Sequence, residues 1–166
     1  ICFAGLAQPD VNVSTEGYLQ SSLSPLTRIS PSGGYRMAIL PSSVGWDRFR
    51  VDLEVIAPGG RVHRLTGLQG NGFFLSDLGR VIVLETSESN AQPSELRIYG
   101  LDGRELHRES LQAPRDLSLS GDGLYLACGD HNATIVLNVE TFVSARYPRF
   151  DLFTVGPGGL LAGVSY

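Results

Sequence analysis

The sequence contains no lysine; all 13 of its basic residues are arginine. Without a lysine this segment has no amine for a Schiff base and no cation for a phosphate-binding P-loop. Cysteine is nearly missing as well. Cys2 and Cys128 form neither a disulfide framework nor a metal-ligand spacing. Cys128 closes an apolar run, where a small core residue is expected. No apolar run approaches the roughly 18 residues of a membrane-crossing helix, so no membrane span is expected. The net charge of −4 is the wrong sign for a surface that meets phosphates, so no nucleic-acid partner is expected. Gly-x-Ser-x-Gly, His-Glu-x-x-His and a glycine-rich phosphate loop are all lacking. No cofactor is expected.

What is present is a core and a rhythm. A chain of 166 residues with 42% hydrophobic content suits one globular domain. A short turn returns four times: Ser30-Pro31-Ser32-Gly33, Ser76-Asp77-Leu78-Gly79, Ser120-Gly121-Asp122-Gly123 and Gly156-Pro157-Gly158-Gly159. The copies are spaced by 46, 44 and 36 residues, and apolar runs flank each one. A second turn recurs in phase, as Ala57-Pro58-Gly59-Gly60-Arg61, Gly100-Leu101-Asp102-Gly103-Arg104 and, more loosely, Asn138 to Phe142. Glycine supplies the positive φ of such turns, and Asp or Pro starts them.

The segments between turns alternate with the period of a strand. Arg48 to Val55 switches polar and apolar at every step, Glu95 to Tyr99 does the same, and Thr134 to Val139 follows less strictly. Each unit thus reads as four antiparallel strands in about 40 residues, the unit of a propeller blade. The predicted repeats run over 26–68, 71–113, 115–148 and 151–166, within a partial β-propeller spanning 26–166. The expected fold is all-β, with about three and a half blades and an incomplete ring. A β-sandwich also shows short, regular strands, but it does not require the same turn in the same phase.

The ends are read separately. Residues 1–10 are apolar and small before turning polar, with Gly5 and Ala7 placed as before a signal-peptidase cut. They read as the tail of a secretory signal or as a piece of a preceding strand. The first reading implies a periplasmic or extracellular location. Residues 11–25 offer one further strand, in the position of a closing outer strand.

Ile29-Ser30-Pro31-Ser32-Gly33-Gly34-Tyr35-Arg36-Met37-Ala38 resembles the S-P-D-G-K-x-hydrophobic-A turn of the WD-repeat, YVTN and TolB-type bacterial propellers. Val62-His63-Arg64-Leu65-Thr66 is similar to the TolB-type ending R-R-L-T, and Leu119 to Ala127 resembles the same turn again. The Trp-Asp of a true WD repeat is missing from the third strands. Trp46-Asp47 lies in a loop instead. The resemblance therefore implies a superfamily and no subfamily.

Candidate site residues follow from the layout. The loops between second and third strands leave one face of a propeller and vary in length here. They carry Trp46, Asp47, Glu85, Glu88, Asp130 and His131, an aromatic and carboxylate set suited to a cation, a sugar or a peptide. Asp116 and Asp151 stand at the starts of two first strands, where channel ligands would sit. Each also has a plainer reading, as a solvated loop or strand-end residue. His63 and His107, on fourth strands, are expected to face solvent. Asn12-Val13-Ser14 and Asn132-Ala133-Thr134 fit the N-glycosylation pattern, which carries no meaning in a bacterial protein.

Two functions are open at this point. One is a non-catalytic exported binding or scaffold module with a protein, peptide or glycan ligand. Its ring would be completed by remaining blades or another chain, because typical propellers have roughly 4 to 8 blades. The other is a propeller hydrolase or lactonase with a metal or substrate site in a central channel completed by further blades.

Overall fold

The computed structural model describes residues 26–41, 50–85, 94–112, 114 and 116–164. The secretory-signal and closing-strand expectations for 1–25 lie outside these residues. The fold is all-β. The first sheet comprises β1 (Leu26–Ile29), β2 (Arg36–Pro41), β3 (Arg50–Ile56) and β4 (Val62–Gln69). The second comprises β5 (Gly72–Leu75), β6 (Val81–Glu85), β7 (Ser94–Tyr99) and β8 (Glu105–Leu111). The third comprises β9 (Leu117–Leu119), β10 (Tyr125–Gly129), β11 (Ala133–Asn138) and β12 (Ser144–Pro148). The fourth has two strands, β13 (Leu152–Val155) and β14 (Leu161–Val164). Every pairing is antiparallel and joins sequence neighbours, so each sheet is a meander compatible with a propeller blade. Among the described residues, no helix is long and apolar enough to cross a membrane.

Alternation explains how the sheets stack. In β3, Val51, Leu53 and Val55 are buried, while Asp52 and Glu54 point to the other face and stay half-exposed. β6 is buried along Val81 to Leu84, because its sheet lies between two others. Val81 and Val83 pack with Met37, Leu53 and Leu65 of the first sheet. Ile82 and Leu84 pack with Leu126, Ile135 and Leu137 of the third. A smaller cluster joins Ala127 and Val136 to Val155 of the fourth. Each large aliphatic side chain buried this way contributes about 1.5–3 kcal/mol of transfer free energy.

The recurring turns share one hydrogen-bond pattern. The Gly33, Gly79 and Gly123 N–H groups donate to the carbonyls of Ser30, Ser76 and Ser120, at 2.8, 3.1 and 2.8 Å. Each serine is buried, and its hydroxyl accepts the N–H that starts the returning strand, from Tyr35, Arg80 or Tyr125. A buried hydroxyl thus finds a partner inside its own turn, which fixes the choice of serine. The turns closed by Arg80 and Leu160 are one residue shorter than those closed by Tyr35 and Tyr125.

The turns also touch from sheet to sheet. The Asp77 carboxylate accepts the Ser32 N–H at 2.9 Å and the Ser32 hydroxyl at 2.6 Å. Gly123, at φ +67°, abuts the same aspartate, and a Cβ there would stand 2.6 Å from the Asp77 nitrogen. Tyr35 lies against Gly79, and Tyr125 against Gly159. The first turns of successive sheets therefore stack along one end of the molecule.

The expectation for His107 is corrected. Its ring stacks on Phe142 of the third sheet, with centroids 5.3 Å apart and planes 4° from parallel, and its side chain is only 20% exposed. β8 is an edge strand of its sheet, but the neighbouring sheet's turn reaches over it. That turn places Phe142 at φ +60°, where the corresponding turns use Gly60 and Gly103.

Candidate functional site

Because the first turns stack at one end, the connections from second to third strands leave from the opposite end. The same end carries the crossings from sheet to sheet. Trp46, Asp47 and Glu88 belong to those connections and lie outside the described residues. Glu85, Asp130 and His131 are described, and they play different parts.

Glu85 ends β6 on the face turned toward the first sheet. Its carboxylate stands 2.9 Å from Arg97 of β7, which also donates to Glu95 at 2.8 Å. Burial works against the Arg97 charge, but the hydrogen bond to Glu95 and the nearby Glu85 charge outweigh it, so the guanidinium holds its proton more tightly than usual. Glu105 lies on the next strand. Its hydrogen bond to Arg108 holds its carboxyl below the ordinary range. Glu85 is thus one member of an ion-pair row across β6, β7 and β8.

Asp130 is 6% exposed. Its Oδ1 accepts the Gln112 N–H at 3.0 Å and also the His131 N–H. The His131 N–H lies 2.9 Å from the Gln112 carbonyl, so the turn after β10 is clamped to the crossing from the second sheet. Asp130 Oδ2 lies 3.7 Å from Arg146, which also meets Glu109 at 3.2 Å. This carboxylate organises backbone. His131 itself is exposed beside it.

Cys128 lies just inside this turn, 2% exposed. Burial, with the nearby charges of Asp130, Asp116 and Glu109, pushes its thiol up to about 12. It is protonated and unreactive at neutral pH.

Asp116 and Asp151 precede β9 and β13, as the repeat predicts. Asp116 is exposed, and its carbonyl accepts the Gly129 N–H at 3.2 Å. Asp151 pairs with Arg149 at 2.9 Å. Among the described residues, no group of three or more His, Cys, Asp or Glu side chains is gathered to hold a metal ion.

Sequence reasoning missed the aspartates of the repeated turns. Asp77 joins the first and second sheets, as above. Burial pushes the Asp122 carboxyl up, but hydrogen bonds from the Ser120 hydroxyl and the Leu124 and Gly158 N–H groups outweigh it and hold it below its ordinary value. The signal was an aspartate inside two of four copies of the turn. No protein-family model matches the chain, and no curated protein matches it.

Proposed function

We propose that this chain is a non-catalytic binding or scaffold module of β-propeller type, in the manner of the WD-repeat, YVTN and TolB-like bacterial propellers. In this reading it works in the periplasm or outside the cell, and its ring is completed by further blades or another chain. The observation that supports it is the division of the molecule into two ends. One end is a repeated stack of Ser-x-x-Gly turns held by backbone, serine and aspartate. The other carries the connections 42–49 and 86–93, of eight residues each, and 130–132, of three, between strands of similar form. A rigid frame with variable loops at one end is a common basis for recognition. The ligand is a protein, peptide or glycan, met by Trp46, Asp47, Glu88 and His131.

Peptide and glycan arrays probed with the protein and with a variant carrying Trp46→Ala and His131→Ala test this. The expected result is a bound class of ligand whose affinity falls at least tenfold in the variant. Turnover of ester or lactone substrates that needs a divalent cation, and is lost in Asp116→Asn and Asp151→Asn, would instead establish the channel enzyme.

A further inference from the structure

The chain holds three pairs in which an Asp or Asn precedes glycine: Asn71-Gly72, Asp102-Gly103 and Asp122-Gly123. At such a pair the glycine nitrogen can reach the side-chain carbonyl carbon of the residue before it, because no Cβ on the glycine stands in the way. The fold treats the three differently. Gly103 and Gly123 lie inside turns, where their N–H groups donate to the Gly100 and Ser120 carbonyls at 3.0 and 2.8 Å. The Asp102 carboxylate accepts the Arg104 N–H, and the Asp122 carboxylate the Leu124 N–H, each at 3.1 Å. In both pairs the nitrogen and the carboxylate are thus fixed by their own turn, and an ionised carboxylate is a poor electrophile.

Asn71 stands elsewhere. β4 ends at Gln69 and β5 begins at Gly72, so Gly70 and Asn71 alone make the crossing from the first sheet to the second. Asn71 is exposed, and its N–H donates to the Leu84 carbonyl at 2.9 Å. Its side chain is a neutral amide, a better electrophile than a carboxylate. Of the five asparagines in the chain, it alone precedes glycine.

The crossing is also tight. A Cβ on Gly70 would stand 2.4 Å from Val83 Cγ1 and 3.0 Å from the Leu84 carbonyl oxygen, and one on Gly72 would stand 3.2 Å from Leu84 Cβ. The two glycines let the backbone lie directly on β6. Val83 packs into the core shared with the first sheet, and Leu84 into the core shared with the third. A close-packed junction of this kind leaves no space for an added backbone atom.

We propose that Asn71-Gly72 is a site of spontaneous deamidation in the folded protein, and that its isoaspartyl product loosens the junction of the first two sheets. The Gly72 amide nitrogen attacks the Asn71 Cγ. The N–Cγ bond forms and the Cγ–Nδ2 bond breaks. The side-chain nitrogen leaves as ammonia, which carries away the proton of the Gly72 nitrogen. Water then opens the cyclic imide. Opening at Cγ leaves aspartate. Opening at the backbone carbonyl carbon leaves isoaspartate, in which the chain runs on through Cβ and Cγ. Both products add a negative charge at the crossing. Only the second adds a backbone atom, between two glycines that already lie against β6. The modification is independent of any ligand the module binds.

The full chain, kept folded at mildly alkaline pH and body temperature and digested at intervals for peptide mass spectrometry, tests this. The peptide holding Asn71 is expected to exchange its amide NH2 for OH at least tenfold faster than the peptides holding Asn132 and Asn138. It should also accept a methyl group from an isoaspartyl methyltransferase, and Asn71→Gln should abolish both signals. The isoaspartyl chain, separated by its added charge, is expected to unfold at a lower urea concentration than Asn71→Asp, which has the charge without the longer backbone. Deamidation of Asn71 that is as slow as at Asn132 and Asn138 in the folded chain, and fast only in urea, would overturn the site, because the fold would then protect it. Equal urea midpoints for the isoaspartyl chain and Asn71→Asp would overturn the loosening of the junction.

Discussion

The Asp77 carboxylate caps Ser32 from the neighbouring sheet, accepting its N–H at 2.9 Å and its hydroxyl at 2.6 Å across 45 residues of sequence. A charged acceptor with two donors exceeds an ordinary neutral hydrogen bond in strength, although exposure to solvent reduces the gain. Asp77→Ala is expected to destabilise the protein by about 1–2 kcal/mol in urea unfolding, and Ser32→Ala by less, since the Ser32 N–H remains. In a double-mutant cycle the two should couple, because each loss includes the other.

Gly123 and Gly33 hold the same place in two copies of the turn and give a controlled comparison. Both have positive φ, +67° and +78°. An alanine at Gly33 meets nothing within 4 Å, whereas one at Gly123 meets the Asp77 backbone. Gly33→Ala is expected to cost about 1 kcal/mol, the price of the left-handed conformation alone. Gly123→Ala should cost at least twice that in the same unfolding assay, because backbone must shift between sheets.

Much of this frame was legible in the chain. The spacing of the Ser-x-x-Gly turns, and the alternation around Val51 to Val55 and Glu95 to Tyr99, follow from local geometry, and local geometry is written in short windows of sequence. The roles of Asp77, Asp130 and His107 were not legible. Each depends on a partner in another stretch: Ser32, Gln112 and Phe142 lie 45, 18 and 35 residues away. Asp130 looked like a loop carboxylate in Gly-Asp-His-Asn. It is buried against the crossing from the second sheet, whose Gln112 N–H it accepts, a partner that a single repeat cannot reveal.

Asp122 sets an acid limb for stability. Its folded pKa lies below the ordinary value of 3.8, so its contribution is fully present above that value and is lost as pH falls through it. The stability difference between the wild type and Asp122→Asn is expected to be constant from about pH 6 to 8 and to shrink steadily below about pH 4. Chemical unfolding at a series of pH values reads this directly. A difference that grows toward low pH would mean that the carboxyl is raised instead.

The Phe142 ring holds a left-handed backbone and stacks on His107. The strain is of the order of 1–2 kcal/mol for a residue with a side chain. His107→Ala and Phe142→Ala are expected to show a coupling of about 0.5–1.5 kcal/mol in a double-mutant cycle. Phe142→Gly should be less damaging than Phe142→Ala, because glycine releases the strain while losing the same stack.

Cys128 should resist modification. In a Cys2→Ser background, a thiol reagent at pH 8 is expected to label Cys128 only at the rate of unfolding, since burial pushes the thiol up to about 12. Prompt labelling of the folded protein would place the side chain at the surface.

The stacking of successive first turns underlies both the frame and the proposed division into a rigid end and a recognition end. Proton NMR on the folded chain tests it most directly. Gly79 lies against the Tyr35 ring and Gly159 against the Tyr125 ring, each close enough that an added Cβ would approach a ring carbon to 2.8 Å. Strong nuclear Overhauser effects from each tyrosine ring to the α-protons of its glycine are predicted. Folded protein that shows neither would contradict the stacked-sheet arrangement and the propeller reading built on it.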